Sequence, residues 1–131
     1  MTTALGGESG DVITTPTFVD MKNYDLVVGV GQVSNVVSTH VITLKAYEAT
    51  STAGAGSTSM THSLASDTYT STQATDLDVL IAQVRGEDLN TATSSFHYVG
   101  FKLSTNDGDG TEAASVHMIC GRARYKQASL P

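Results

Sequence analysis

Apolar and polar positions alternate along several short stretches of the chain, which is typical of β-strands. The clearest case is residues 37–49, where Ile42, Leu44 and Ala46 share one phase and the residues between them share the other. Residues 24–33 read YDLVVGVGQV, so that both phases hold apolar residues or glycine. This stretch predicts a strand, and its two glycines predict a place where another group packs closely.

Three more strands are predicted in the second half of the chain, over residues 77–85, 96–104 and 114–124. Turn residues separate them. Residues 86–89 (GEDL) predict a tight turn or a single helical turn, and residues 106–110 (NDGDG) predict a hairpin between the last two strands.

The middle of the chain is less regular. Residues 50–58 (TSTAGAGST) contain no large apolar side chain and are predicted to form an exposed loop. Two shorter strands are predicted near residues 59–64 and 68–72.

Composition supports an all-β fold. The chain of 131 residues holds 19 threonines and 14 serines, and only 15% of its residues are charged. Threonine suits a pleated surface, and the common surface helix formers glutamate and lysine are scarce. Seven or eight short strands at regular spacing predict a single-domain antiparallel β-sandwich of the jelly-roll type. An immunoglobulin-like sandwich has the same pattern, so strand order stays open.

Three regions are distinguished along the chain. Residues 1–17 are rich in glycine, threonine and serine and are predicted to form an extended N-terminal arm, residues 18–126 the β-sandwich, and residues 127–131 a C-terminal tail. An arm that cannot bury its apolar groups within its own subunit is either disordered or lies on a neighbouring subunit.

Charge and hydropathy argue against several classes of partner. Seven basic residues stand against thirteen acidic ones, which gives a net charge of −6, the wrong sign for neutralising nucleic acid or anionic lipid. No stretch approaches the roughly 18 apolar residues of a membrane span, and the first ten residues lack the features of a signal peptide. The single cysteine, Cys120, cannot form an internal disulfide and is expected to be a buried structural thiol.

Catalytic and metal-binding patterns are weak in this sequence. The four histidines lie on different predicted strands without an HExxH spacing, so no metal or other cofactor is predicted. Asp107, Asp109 and Glu112 are interpreted as hairpin residues, although the same carboxylates are a possible Ca²⁺ ligand set. Tryptophan is absent and aromatic residues make up only 6% of the chain, which leaves little to line a glycosidase cleft. We therefore do not expect an enzyme.

Five short stretches carry a family resemblance: residues 19–25 (VDMKNYD), 41–49 (VITLKAYEA), 87–89 (EDL), 96–99 (FHYV) and 121–126 (GRARYK). Together they span most of residues 19–126 and resemble small structural proteins of tailed bacteriophages that are encoded near the major capsid gene. Head decoration proteins, also called cement proteins, belong to this group.

The resemblance implies a β-sandwich or jelly-roll subunit that sits as a small oligomer, a dimer or a trimer, on the outside of the capsid. Its partners would be the major capsid protein and further copies of itself, with no direct contact to nucleic acid or membrane. Made in the host cytoplasm, it would reside in the virion and stabilise the expanded shell. The family has no catalytic residues or cofactor to transfer to this chain.

We expect the arm and the C-terminal segment to bridge adjacent subunits, because the arm offers apolar groups and the C-terminal segment is basic. The predicted contact residues are Val12, Ile13, Phe18, Arg122, Arg124, Tyr125 and Lys126.

Two other functions remain open from the sequence. The first is a receptor- or carbohydrate-binding β module, with a patch of aromatic residues that includes Tyr47, Tyr69 and Tyr98. The second is a tail-tube or head-closure subunit, which would assemble into rings.

Overall fold

A computed structural model describes residues 2–4, 12–15, 17–34, 40–70, 78–89, 96–106 and 113–123. Within these ranges the chain forms ten strands and one turn of 3₁₀ helix at Gly86–Asp88, joined by turns and loops. The strands are β1 (Thr2–Ala4), β2 (Val12–Thr14), β3 (Val19–Asp20), β4 (Tyr24–Ser34), β5 (Val41–Ala49), β6 (Thr58–Ser59), β7 (Ser66–Thr70), β8 (Asp78–Arg85), β9 (Tyr98–Thr105) and β10 (Ala113–Ala123). In this part of the chain no helix is long and apolar enough to cross a bilayer.

The strands form two antiparallel sheets, which confirms the predicted β-sandwich. Sheet A has the order β1-β10-β4-β8, and sheet B has β9 and β5 at its centre, with β2 and β3 beyond β9 and β6 and β7 beyond β5. The pairs are nested from the two ends of the chain inwards: β1 pairs with β10, β2 and β3 with β9, β4 with β8, and β5 with β6 and β7. This nested order is that of a jelly roll and differs from the immunoglobulin order.

The core lies between the two sheets and is filled by one alternating phase of each long strand. From sheet B, β5 contributes the predicted phase of Ile42, Leu44 and Ala46, and β9 contributes Phe101 and Leu103, all fully buried. A long strand that presents every second residue to a facing sheet buries a large apolar area, and this burial is the main stabilising contribution to such a sandwich.

A glycine in β4 makes room for the largest core side chain. Val27, Gly29, Gly31 and Val33 are the buried phase of β4. A Cβ atom at Gly29 would lie 2.4 Å from Cγ of Phe101, far inside van der Waals contact. The close packing predicted from the two glycines is therefore present, and its partner at Gly29 is the Phe101 ring.

The boundaries predicted at residues 24–33, 77–85, 96–104 and 114–124 hold to within two residues, the strand predicted over 37–49 begins at Val41, and the short strand predicted at 59–64 fails. The strand there is Thr58–Ser59 only. Met60 N–H donates to Ala46 O, and Ala46 N–H donates to Ala65 O, so the chain leaves the ladder between these two bonds and returns in β7. Residues 107–112, including Asp107, Asp109 and Glu112, lie outside the described residues, as do residues 35–39.

The N-terminal segment differs from the expected arm. β1 pairs with β10 at the edge of sheet A, and β2 pairs with β9 at the edge of sheet B. Thr15 follows β2 and is buried; its N–H donates to Phe101 O at 3.0 Å, and its Oγ1 accepts from Phe101 N–H at 3.1 Å. The described part of this segment is thus held by the chain's own sheets. A three-residue strand has too few alternating positions to be recognised from sequence.

Phe18 is buried on its own subunit, at 4% exposure, rather than exposed for a neighbour. The chain leaves the edge of sheet B between β2 and β3, and the Phe18 ring lies between two glycines, Gly100 of β9 and Gly54 of the loop that follows β5. Gly54 has a φ of +80°, which favours glycine, and Phe18 N–H donates to Thr52 O at 2.8 Å. This packing leaves little of Phe18 for contact with another protein.

The free edge of β8 is covered by the segment that leads into β7. Ile81 N–H donates to Oδ2 of Asp67 at 2.9 Å, and Gln83 N–H donates to Leu64 O at 2.8 Å. Satisfying these edge groups within the chain blocks uncontrolled strand addition at this edge. It also ties sheet B to sheet A, because β7 belongs to sheet B.

We predict that Asp67→Ala lowers the free energy of unfolding by about 1–2 kcal/mol, because it removes the acceptor for Ile81 N–H and for Thr68 N–H. Urea denaturation measures this difference. Glu87→Ala is the control, because Glu87 is exposed and its ion pair with Arg85 lies at the surface. We expect this variant to change the free energy of unfolding by less than about 0.5 kcal/mol. Equal losses in the two variants would show that the Asp67 bonds do not stabilise the edge.

Candidate binding face

Six residues in the outward phase of β4, β8 and β10 are apolar. We call them the apolar face; they are Leu26, Val28, Val30, Val79, Ile81 and Ile119. Three of them are among the most exposed large hydrophobic side chains described, with Val79 48%, Ile81 56% and Ile119 59% exposed.

Strand register brings these residues together. Val28 lies opposite Ile119 of β10, and Val30, two residues along, lies opposite Ile81 of β8. Directly opposed side chains in a sheet are about 5 Å apart, so the four side chains form one oblique stripe across three strands. Val79 lies beyond Ile81 on β8 and continues the stripe.

Polar residues flank the stripe on both sides. Gln83 lies opposite Val28 on the β8 side, and His117 lies opposite Val30 on the β10 side. The outward positions of β4, β8 and β10 carry no carboxylate in the described chain, although the protein has thirteen acidic residues. The acidic surplus of the protein is therefore kept off this face.

The outer face of sheet B is different, because the chain covers it at Gly100 and its other outward positions are mostly polar. Phe18 packs over Gly100, and residues 50–57 pack over Phe18. Beside them Lys102 Nζ lies 4.2 Å from the centre of the Tyr47 ring and 3.4 Å from Ser57 Oγ. Sheet A alone thus presents a bare apolar surface in the part of the molecule that the structure describes.

A charged cleft of about 330 Å³ lies at one end of sheet A and is lined by Asp25, Arg85, Gly86, Glu87 and Arg122. Nη1 of Arg85 is 3.6 Å from Oε1 of Glu87, with both side chains more than half exposed. Arg122 has a φ of +53°, a left-handed conformation that is uncommon outside glycine. This cleft presents charges of both signs at the margin of the apolar face.

A second polar group lies near the 3₁₀ turn. His62 Nε2 is 3.7 Å from Asp88 Oδ2, a distance too long for a hydrogen bond, and that nitrogen is buried without a hydrogen-bond partner. Glu48 and Ser59 line the same cleft of about 210 Å³. Nowhere in the described ranges do three metal-ligating side chains come together.

The predicted contact residues that the structure describes lie in different parts of the fold. The backbone of Val12 and Ile13 lies in β2 on sheet B, whereas Arg122 lies in β10 on sheet A. Arg124, Tyr125 and Lys126 lie outside the described residues, together with residues 127–131, so their contact role remains a prediction.

The tyrosines named for a sugar-binding patch are not shown to form one. The ammonium group of Lys102 lies over the ring of Tyr47, on the outer face of sheet B. The side chain of Tyr69 is outside the described part, and Tyr98 lies two residues from Gly100, which Phe18 covers.

The apolar face was not identified from the sequence, although a signal for it was present. In residues 24–33 both phases are apolar, and a strand with one solvated face would carry polar residues in one of them. The glycine-containing phase is the buried one, because Phe101 requires the space at Gly29. Leu26, Val28 and Val30 are left to point outwards.

Cys120 points towards the core, in the same phase of β10 as Val116, and is partly buried, in agreement with the expected structural thiol. Burial raises the pKa of the Cys120 thiol, so less of it is thiolate at neutral pH. We predict that iodoacetamide modifies the folded protein at pH 7.5 at least about tenfold more slowly than the urea-unfolded protein. Mass spectrometry of timed samples gives both rates, and equal rates would contradict the buried placement.

Comparison with known proteins gives little similarity. No protein-family model and no curated protein matches the chain. A chain in a solved structure of infectious bursal disease virus, Gt strain, aligns with 98% of this chain at 10% identity and a TM-score of 0.24. The alignment spans 47% of that viral chain. At this TM-score the alignment is too weak to support a shared fold or function.

Proposed function

We propose that this chain is a virion structural protein that binds the outside of an expanded bacteriophage capsid as a small oligomer and stabilises the shell. Its partners would be the major capsid protein and further copies of itself, and it would catalyse no reaction.

The apolar face of sheet A is the observation that carries this proposal. Soluble monomers rarely expose large contiguous apolar patches, and such patches mark contact surfaces. Val28, Val30, Ile81 and Ile119 are adjacent, sit on long paired strands, and are held on a core in which Phe101 is fully buried. A rigid surface of this kind loses little conformational entropy on binding, which favours association.

Stabilisation of a shell follows from such binding by mass action. A protein that binds the expanded lattice and not the precursor adds its binding free energy to the stability of the expanded state. An oligomer that contacts several capsid subunits gains further, since each contact after the first forms at a high effective concentration. The sequence stretches that resemble decoration proteins, including residues 41–49 in β5 and 96–99 at the start of β9, support this role over other contact functions.

Immunogold labelling of virions tests this proposal directly. Antibody raised against the purified protein should label the whole head surface, and purified protein added to stripped expanded heads should restore the label and raise the temperature at which the heads rupture. Equal binding to unexpanded heads, or label confined to the tail, would contradict the proposal.

The predicted basic contacts can be tested in the same assay. We expect the double variant Arg124→Ala, Lys126→Ala to occupy expanded heads less than the unaltered protein at equal concentration. The control, Lys22→Ala with Lys45→Ala, removes the same charge from the sandwich. If the control loses as much occupancy, general charge rather than the C-terminal segment is responsible.

A further inference from the structure

We propose that the apolar face of sheet A is the contact surface for a second copy of this chain, so that two subunits pack sheet A on sheet A about a two-fold axis. This inference rests on the proposed function for the place of the protein in the virion. It adds which surface joins the subunits of the oligomer.

The shape of the apolar stripe suits a two-fold contact. The stripe runs obliquely from Ile119 through Val28 and Val30 to Ile81. A two-fold axis that lies in the plane of the interface and runs along the stripe places the stripe of one subunit on the same stripe of the other. Such a contact is isologous, and because the axis runs obliquely to the strands, the two stacked sheets lie about 10 Å apart with their strands crossed at a large angle.

Polar groups match under the same symmetry. Because Gln83 and His117 flank opposite sides of the stripe, the axis brings Gln83 of one subunit to the side where His117 of the other lies. An amide and an imidazole are able to hydrogen-bond in either direction. A polar rim around an apolar centre is the usual anatomy of a protein–protein interface.

Charge also favours a second copy. Two chains that each carry −6 repel one another unless their contact surfaces lack acidic groups. The outward positions of β4, β8 and β10 meet this requirement, since those described carry no carboxylate. Arg85 and Glu87, of opposite sign, lie in the cleft at the margin.

The size of the apolar face suits a weak dimer. Three strands spaced at about 4.8 Å, over an apolar length of about 20 Å, give an apolar centre of roughly 300 Å² on each subunit. The total of about 600 Å², without the polar rim, is in the range of weak, transient interfaces. We therefore expect a dimer that dissociates on dilution.

Sedimentation of the full-length protein across concentration tests the proposal. We expect a monomer–dimer equilibrium, and we expect Ile81→Lys to weaken the dimer by about tenfold or more, because it places a charge within the apolar contact. Thr70→Lys is the matched control: Thr70 is exposed on β7 in sheet B, so this variant should dimerise as the unaltered protein does. Thermal unfolding followed by circular dichroism checks that both variants are folded.

A cross-linking experiment tests the position of the axis independently. In a Cys120→Ser background, Val30→Cys should form a disulfide-linked dimer under mild oxidation, because Val30 lies on the stripe. Thr70→Cys should not. This measurement also decides the case if Ile81→Lys does not fold.

Three results would overturn the proposal: a monomer at all concentrations, a trimer, or a dimer that Ile81→Lys leaves unchanged. If the apolar face binds a capsid protein and not a second copy, the isolated protein would be a monomer at all concentrations and would still decorate heads. The sedimentation and cross-linking experiments contain no capsid. If the protein forms the expected dimer but an antibody against it does not label heads, the result contradicts the proposed function and not the dimer.

Discussion

Gly29→Ala is expected to lower the free energy of unfolding by about 3 kcal/mol. The added Cβ would lie 2.4 Å from two atoms of the Phe101 ring, Cγ and Cδ1. Phe101 is fully buried in β9, between β5 and the edge strands β2 and β3, so its ring cannot move away without displacing the core. Overpacking a tight core costs about 1–3 kcal/mol, and this contact is at the severe end of that range.

Gly121→Ala is the matched control, because its Cβ would lie 3.9 Å or more from its neighbours in the same sheet. We expect a change within about 0.5 kcal/mol for that variant in urea denaturation. Combining Gly29→Ala with Phe101→Leu should recover part of the loss, since the smaller side chain leaves room for the methyl group. If Gly29→Ala unfolds at the same urea concentration as Gly121→Ala, the packing of β4 on β9 is not as described.

Phe18→Ala is expected to cost about 3 kcal/mol, within the range for deleting a buried phenylalanine ring. Phe18 is the side chain that joins the N-terminal segment and residues 50–57 to sheet B, through its packing on Gly54 and Gly100. Its loss leaves a cavity under the loop, and the loop cannot fill it because Thr52 and its neighbours are small. The measurement is again urea denaturation.

Leu64→Ala is the control for this variant, because it removes a side chain that is 52% exposed, and we expect a loss below about 1 kcal/mol. If Phe18 were instead an anchor for a neighbouring subunit, Phe18→Ala would leave the isolated protein as stable as Leu64→Ala does and would weaken only its binding to heads.

The sandwich was predictable because β5 follows a period of two. In that strand the period separates buried from partly exposed residues over the first eight positions. The pairing order was not predictable, since the nesting of β4 with β8 and of β1 with β10 joins segments far apart in sequence. Local pattern fixes which residues share a face, but partner choice depends on how the sheets pack globally.

The candidate site was harder to predict than the fold. The sequence drew attention to the ends of the chain, where Val12, Ile13 and Phe18 are apolar residues in a polar segment. Phe18 instead fills a gap in its own subunit. The contact surface found in the structure is spread over three strands, and Ile81 and Ile119 become neighbours of Val30 and Val28 only through pairing in space. A surface of that kind leaves no local motif.

Electron cryomicroscopy of the virion tests most directly the claim that this protein acts by binding through sheet A. We expect several hundred copies of a 13.7 kDa β-sandwich on the outer head surface, arranged as pairs with Val28, Val30, Ile81 and Ile119 buried between the two subunits. Heads without this density, or copies whose sheet A faces solvent, would contradict the account.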